Sequence, residues 1–283
     1  MKKYLLIILI VGVLSIFRDA ISPEARLMYA VKRGDISRVQ QLLARGVSSN
    51  SVDWWEDETP LIWASGHGRE EVIPVLLRWG ADVNIQREED QATALMEASA
   101  EGHAGVVKLL LDAGAQADKH FNWMGTTALM LASEYGHSAV VNLLLQAGAD
   151  VNLQRKNDLV TALIFASQNG HKDVVELLLN SGAKVDLADN HGWTAFMSAS
   201  RHGHLAIANL LLQAGANVNI TNKDGITALH IASYWGQVDL VKMLLQAGAD
   251  TTKIDQEGKT ALDYAKTPEI KALLQQAQKQ GKH

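Results

Sequence analysis

The chain reads as an all-α solenoid, a stack of short helix pairs, and three recurring marks predict it. A threonine returns at Thr59, Thr93, Thr127, Thr161, Thr194, Thr227 and Thr260, at intervals of 34, 34, 34, 33, 33 and 33 residues. A glycine between two apolar runs keeps step at Gly68, Gly102, Gly136, Gly170, Gly203 and Gly236. A Gly-Ala pair closes the second run, beginning at Gly80, Gly114, Gly148, Gly182, Gly215 and Gly248. Landmarks held in register over so many copies mark a repeat array, in which no unit buries its leucines alone and each stacks on the next.

The unit from Thr127 to Asn152 shows the local logic. Thr127 caps a helix by accepting from the free N–H groups of its first turn. Ala128 to Tyr135 form that helix, with Ala132 and Ser133 small where a neighbour comes close. Gly136 ends it, because glycine enters the left-handed region without a Cβ clash. Val140, Val141, Leu143, Leu144 and Leu145 then give a second helix a broad apolar face, and Gly148 stops it. Asp150 to Val160 is polar and turn-rich, an extended finger leading to the next unit.

Residues 1–22 stand outside the array. Lys2 and Lys3 precede an apolar run from Tyr4 to Phe17, too short for a membrane span of ~20 residues and suited to a secretory signal. If uncleaved, it serves as a signal anchor. Ser22-Pro23-Glu24 reads as an N-cap, a proline at the first helical position and an acid on the positive end of the dipole. Residues 24–50 form a degenerate unit with Arg26, Lys32, Arg33, Arg38, Gln40 and Gln41 among its apolar positions, the wet face of a cap. Six full repeats occupy about residues 59–259, within a single domain spanning 23–278. Thr260-Ala261-Leu262 opens a closing cap over 260–278, whose second helix starts at Thr267-Pro268-Glu269 and turns Ile270, Leu273 and Leu274 inward. The sequence predicts fraying from Gln275, with 279–283 a polar tail.

These units resemble ankyrin repeats. The likeness is carried by Thr59-Pro60-Leu61, by Thr227-Ala228-Leu229-His230, by the Gly-His pairs at 102–103, 136–137, 170–171 and 203–204, and by Gly-Ala-Asp-Val-Asn at 80–84 and 148–152. It covers about residues 24–278. Five of six repeats replace the family proline with alanine, a better helix former. Five replace the family histidine with Ile62, Met96, Met130, Ile164 or Met197, so the side-chain hydrogen bond that the resemblance implies is expected at His230 alone. The resemblance implies a scaffold that binds proteins on a concave face formed by finger tips and the ends of the first helices.

Composition narrows the function. With 47% hydrophobic and 20% charged residues the chain is globular. It has no cysteine, so neither a disulfide nor a thiolate metal site forms, and that suits export to an oxidising compartment such as a bacterial periplasm. A net charge of −5 argues against nucleic acid, which needs a basic footprint. No catalytic constellation, metal site or cofactor motif is read. His103, His137, His171 and His204 look like a ligand ladder, but they come one per repeat. Stacked neighbours lie ~10 Å apart, whereas one zinc holds its ligands at ~2 Å. They are read as turn residues bonding to nearby backbone.

Aromatic residues off the repeating pattern carry the functional reading. Fingers hold Trp54, Trp55, Phe121, Trp123 and Trp193; the ends of first helices hold Tyr135, His202, Tyr234 and Trp235, with Arg201 beside them. Rings of this kind and arginine dominate binding energy at protein interfaces. The competing reading is that each ring packs on its neighbouring repeat. Trp63, Phe165 and Trp79, with Met96, Met130 and Met197, are assigned to the core. An acidic cluster of Glu56, Asp57, Glu58, Glu88, Glu89 and Asp90 either faces water or draws in a basic partner. The expected function is an exported, non-enzymatic module that binds another protein, an inhibitor, immunity or accessory protein. The alternatives are a spacer tethered by residues 4–17 and a hydrolase using finger carboxylates.

Overall fold

The computed structural model describes residues 22–52, 57–121 and 124–280. Residues 1–21, where a signal segment is expected, Trp54, Trp55, Glu56, Trp123 and the last three residues lie outside the described residues. Among the described residues there are fifteen helices: α1 Pro23–Lys32, α2 Ile36–Ala44, α3 Pro60–Gly66, α4 Ile73–Arg78, α5 Ala94–Ala100, α6 Ala104–Asp112, α7 Ala128–Tyr135, α8 Ser138–Gln146, α9 Ala162–Asn169, α10 Lys172–Asn180, α11 Ala195–His202, α12 Leu205–Gln213, α13 Ala228–Trp235, α14 Val238–Gln246 and α15 Pro268–Gln280. None of these is long and apolar enough to cross a membrane. Isolated bridges join Phe121 with Thr126, Ala188 with Thr194 and Ile254 with Thr260, and Glu58 is also a bridge residue. The structure divides into two compact units, the first up to Gln116 and the second from Ala117.

The threonines cap as their position demands. The hydroxyl oxygens of Thr59, Thr93, Thr127, Thr161, Thr194 and Thr227 accept from the N–H three residues on, at 3.2–3.4 Å. Gly136, Gly170, Gly203 and Gly236 are left-handed C-caps of the first helices in their units. Val141, Leu144, Val175 and Leu178 are fully buried, each contributing about 2 kcal/mol of transfer free energy. Met96, Met130 and Met197 are buried as well.

Two further devices join neighbouring repeats. An asparagine at the foot of four fingers is a two-point clasp: Asn152 donates through Nδ2 to Gly182 O at 3.2 Å and accepts through Oδ1 from Lys184 N at 2.7 Å. Asn50, Asn84 and Asn219 repeat both bonds. An amide gives and accepts at once. Asp118 and Asp186, which have no donor, keep only the accepting half.

The Gly-His histidines correct the expectation of local turn bonding. His103, His171 and His204 reach back with Nε2 to the carbonyls of Gly66, Glu134 and Gln168, 36 or 37 residues earlier, at 3.1, 2.9 and 3.1 Å. Each ring fills the space beside the earlier unit's glycine, so that a Cβ on Gly170 would lie 2.7 Å from His204 Cε1. Glycine is thus required twice over at Gly170, for its φ of +82° and for the ring it admits.

Three other expectations change. Trp79 is 45% exposed, not core. It is the C-cap of α4, a position where Ala113, Ala147, Ala214 and Ala247 show that the core needs no large side chain. Trp63 is half-buried and stacks on His67 one helical turn away, at 3.7 Å. The chain stays helical to Gln280, beyond the predicted fraying point at Gln275, because Gln278 donates to Thr251 O at 3.3 Å and Ala277 is partly covered. Ahead of it, Ala261–Tyr264 form a turn rather than a first helix.

Candidate functional site

Fingers of the second unit are built on a side chain that closes its own turn. Asp189 Oδ1 accepts from His191 N at 2.9 Å and Trp193 N at 2.8 Å, and Asn222 and Asp255 do the same in the next two fingers. Backbone bonds then stitch the fingers in sequence: Asn190 N to Asp158 O, Lys223 N to His191 O, and Gln256 N to Asp224 O, at 2.7–2.9 Å. Trp193, fixed at the end of such a turn, lies half-buried immediately before the N-cap of α11.

Two clefts share Trp193 and Arg201 as a common wall. The first encloses about 370 Å³, and its other lining residues are Ile226, His230, Ile231, Tyr234, Trp235 and Tyr264. The second encloses about 360 Å³ and is more polar, with Gln168, Asp189, His191 and His202 among its lining. The Arg201 guanidinium lies 5.4 Å from the centre of the Trp193 ring. Tyr234 and Trp235 stand edge-to-face at 5.3 Å and are 54% and 49% exposed. Tyr264 is edge-on to both Tyr234 and His230, at 6.2 and 6.0 Å.

His230 forms part of the cleft wall and is itself buried. Its Nδ1 accepts from Thr227 N at 3.2 Å and from the Thr227 hydroxyl at 2.8 Å, leaving Nε2–H to donate to Lys259 O at 3.2 Å. This is the capping bond expected at His230 alone, and it fixes the neutral tautomer. Burial pulls the imidazole below its usual pKa, against the opposing effect of the Lys259 carbonyl. The Tyr264 hydroxyl donates to Asp255, which lowers the carboxyl pKa and raises that of the phenol.

The ten residues singled out from the sequence therefore fall into three groups. Trp193, Arg201, His202, Tyr234 and Trp235 come together around the two clefts. Tyr135 is 56% exposed at the end of α7, and Phe121 is half-buried in its own finger bridge; neither lines these clefts. Trp54, Trp55 and Trp123 are outside the described residues. Sequence reasoning missed Tyr264, Ile226, Ile231 and the His191 finger tip. Tyr264 stands four residues after Thr260, as Ile231 stands four after Thr227, so the repeat register alone would have placed it on this face.

The acidic cluster is largely spent inside the fold. Glu58, Asp90 and Glu97 converge on Arg87, and the Asp57 carboxylate accepts from Glu88 N and Glu89 N at 3.0 and 3.1 Å. Burial pushes the Asp90 carboxyl pKa up, but the Arg87 bond and charge outweigh it and hold it below the usual range. Among the described residues, the expected lure for a basic partner reduces to Glu88 and Glu89, which are exposed; Glu56 lies outside them.

Comparison with known proteins follows the same architecture. A family model described as "Ankyrin repeats (3 copies)" matches residues 17–87, 75–155 and 154–222, and one described as "Ankyrin repeats (many copies)" matches 201–245. The chain is similar to the human ASB11 ankyrin repeat domain, known from a crystal structure. The two are 30% identical, with 77% of this chain and 97% of that one covered and a TM-score of 0.69. No curated protein sequence matches it. Ankyrin repeats are in general protein–protein interaction modules, and the fold is typically a scaffold without catalysis. From its threonine caps to the matched repeat models, the chain belongs to the ankyrin-repeat family.

Proposed function

We propose that the protein is an exported binding module that grips another protein through the aromatic clefts beside Trp193, acting as an inhibitor, immunity or accessory protein and doing no chemistry itself. The supporting observation is that Tyr234 and Trp235 remain about half exposed in a cleft whose wall carries an arginine over the Trp193 ring. Exposed rings contribute little to folding and much to binding, where their rigid area is buried at small entropic cost. Among the described residues, the one carboxylate lining either cleft, Asp189, has an oxygen committed to its own turn, which favours binding over hydrolysis. Lys2, Lys3 and the apolar run from Tyr4 to Phe17 support export.

The test is a pull-down from periplasmic extract with the parent and with Tyr234→Ala/Trp235→Ala, alongside N-terminal sequencing of the extracted chain. The double variant is expected to fold as the parent does and to lose its specific partner. Retention of every specific partner by the double variant refutes the site, and an intact N-terminus in the membrane fraction refutes soluble export.

A further inference from the structure

The second unit contains arginines in two different situations. Arg155 is bound to Asp158 three residues on, as Arg87 in the first unit is bound to Asp90. Arg201 has its guanidinium laid on Trp193, and no carboxylate among the described residues pairs with it. The ring face draws the guanidinium to this wall, and its N–H groups make no hydrogen bond to the described residues, which leaves them to take a carboxylate through two parallel bonds. On one side lies the polar cleft, where His202 donates from Nδ1 to Ser198 O at 3.0 Å. On the other lies the apolar cleft of Tyr234, Trp235 and Tyr264. The neighbouring carboxylates are engaged elsewhere, Asp255 by the Tyr264 hydroxyl and Asp189 by the N–H groups of His191 and Trp193, so neither pairs with Arg201.

Resting on the protein-binding reading above, we propose that the two clefts form one bipartite site for an extended protein segment. In that segment an acidic side chain lies within three residues of an aromatic or branched aliphatic one. The carboxylate sits on the open edge of Arg201, and the apolar side chain enters between Tyr234, Trp235 and Tyr264. Charge decides between the possible occupants. A ring of aromatics also suits an ammonium group, but the Arg201 cation lines both clefts and repels one. The chain as a whole carries a net charge of −5, so an acidic segment is repelled elsewhere and held where Arg201 stands.

The experiment is a peptide-display selection on the full chain, followed by affinity measurements with the best synthetic peptide. Enriched peptides are expected to carry Asp or Glu within three residues of Phe, Trp, Tyr, Leu or Ile. Arg201→Gln should weaken the best peptide by about tenfold or more, with Arg201→Lys recovering part of the loss. Replacing the peptide's acid by its amide should cost the parent the same factor and cost the Arg201→Gln variant almost nothing. Cationic or neutral enriched peptides, an acid preference that survives Arg201→Gln, or no enrichment at all overturns the proposal. If such peptides or a captured partner still depend on Tyr234 and Trp235, the protein-binding reading survives that loss. If all binding ignores both rings, the two fall together.

Discussion

Replacing His230 with methionine is a severe test of how the cleft is held, because Met96, Met130 and Met197 occupy the same position in other repeats. The side chain is 2% exposed, so methionine fills the space without opening a large cavity. What it removes is the bond from Thr227 N and the bond to Lys259 O, leaving two buried backbone groups without their side-chain partner. At about 1 kcal/mol for each, the loss is about 2 kcal/mol. Its pH dependence has a definite sign. Burial holds the folded pKa of His230 below its unfolded value of 6.5. The imidazole's contribution is therefore present above pH 6.5 and lost as pH falls through the folded pKa. Urea denaturation followed by circular dichroism should show the full deficit at pH 8 and a smaller one at pH 5. A deficit under about 0.5 kcal/mol at pH 8, the scale of an ordinary surface change, would refute the bonding scheme. A deficit that stays constant between the two pH values would refute the neutral tautomer.

Three more outcomes follow from the same geometry. Gly170 and Gly182 share a φ near +82° and +85°, but a new Cβ meets His204 at Gly170 and nothing within 4 Å at Gly182. Gly182→Ala should cost about 1 kcal/mol of strain and Gly170→Ala about 1–3 kcal/mol more, and a cycle with His204→Ala should show a coupling of at least ~1 kcal/mol; equal losses in the two single variants would remove the interlock. Arg87→Met strands Glu58, Asp90 and Glu97 and should destabilise by about 3 kcal/mol at neutral pH. Because the folded Asp90 pKa is lowered, the parent's advantage is present above its unfolded value of 3.8 and is lost as pH falls through the folded pKa, which thermal melts at pH 7 and pH 3 would check. Asn152→Asp should keep the bond from Lys184 N and lose the one to Gly182 O, costing about 1 kcal/mol in urea titration, with no change expected if the clasp is idle.

The parts of this protein that were legible in the sequence are those whose partner lies close along the chain. Thr127 bonds three residues on, Gly136 turns its own helix end, and Leu144 recurs at helical spacing on one face, so caps, stops and the repeated helix pair could be read without coordinates. Candidate rings were visible for a related reason: residues that break a strong period stand out against it. Which of them act together was not visible. Trp193 meets Tyr234 and Trp235 because consecutive units stack, while Phe121 remains in its own finger. His204 looked like a turn residue because its true partner, Gln168 O, lies 36 positions away. Arg87 gathered carboxylates that, read along the chain, looked like a solvated run. Local chemistry determines each unit, since a cap or a glycine stop needs only a few neighbouring residues. The shared surface is decided by tertiary stacking, since a cleft exists only where side chains about 33 residues apart are brought side by side.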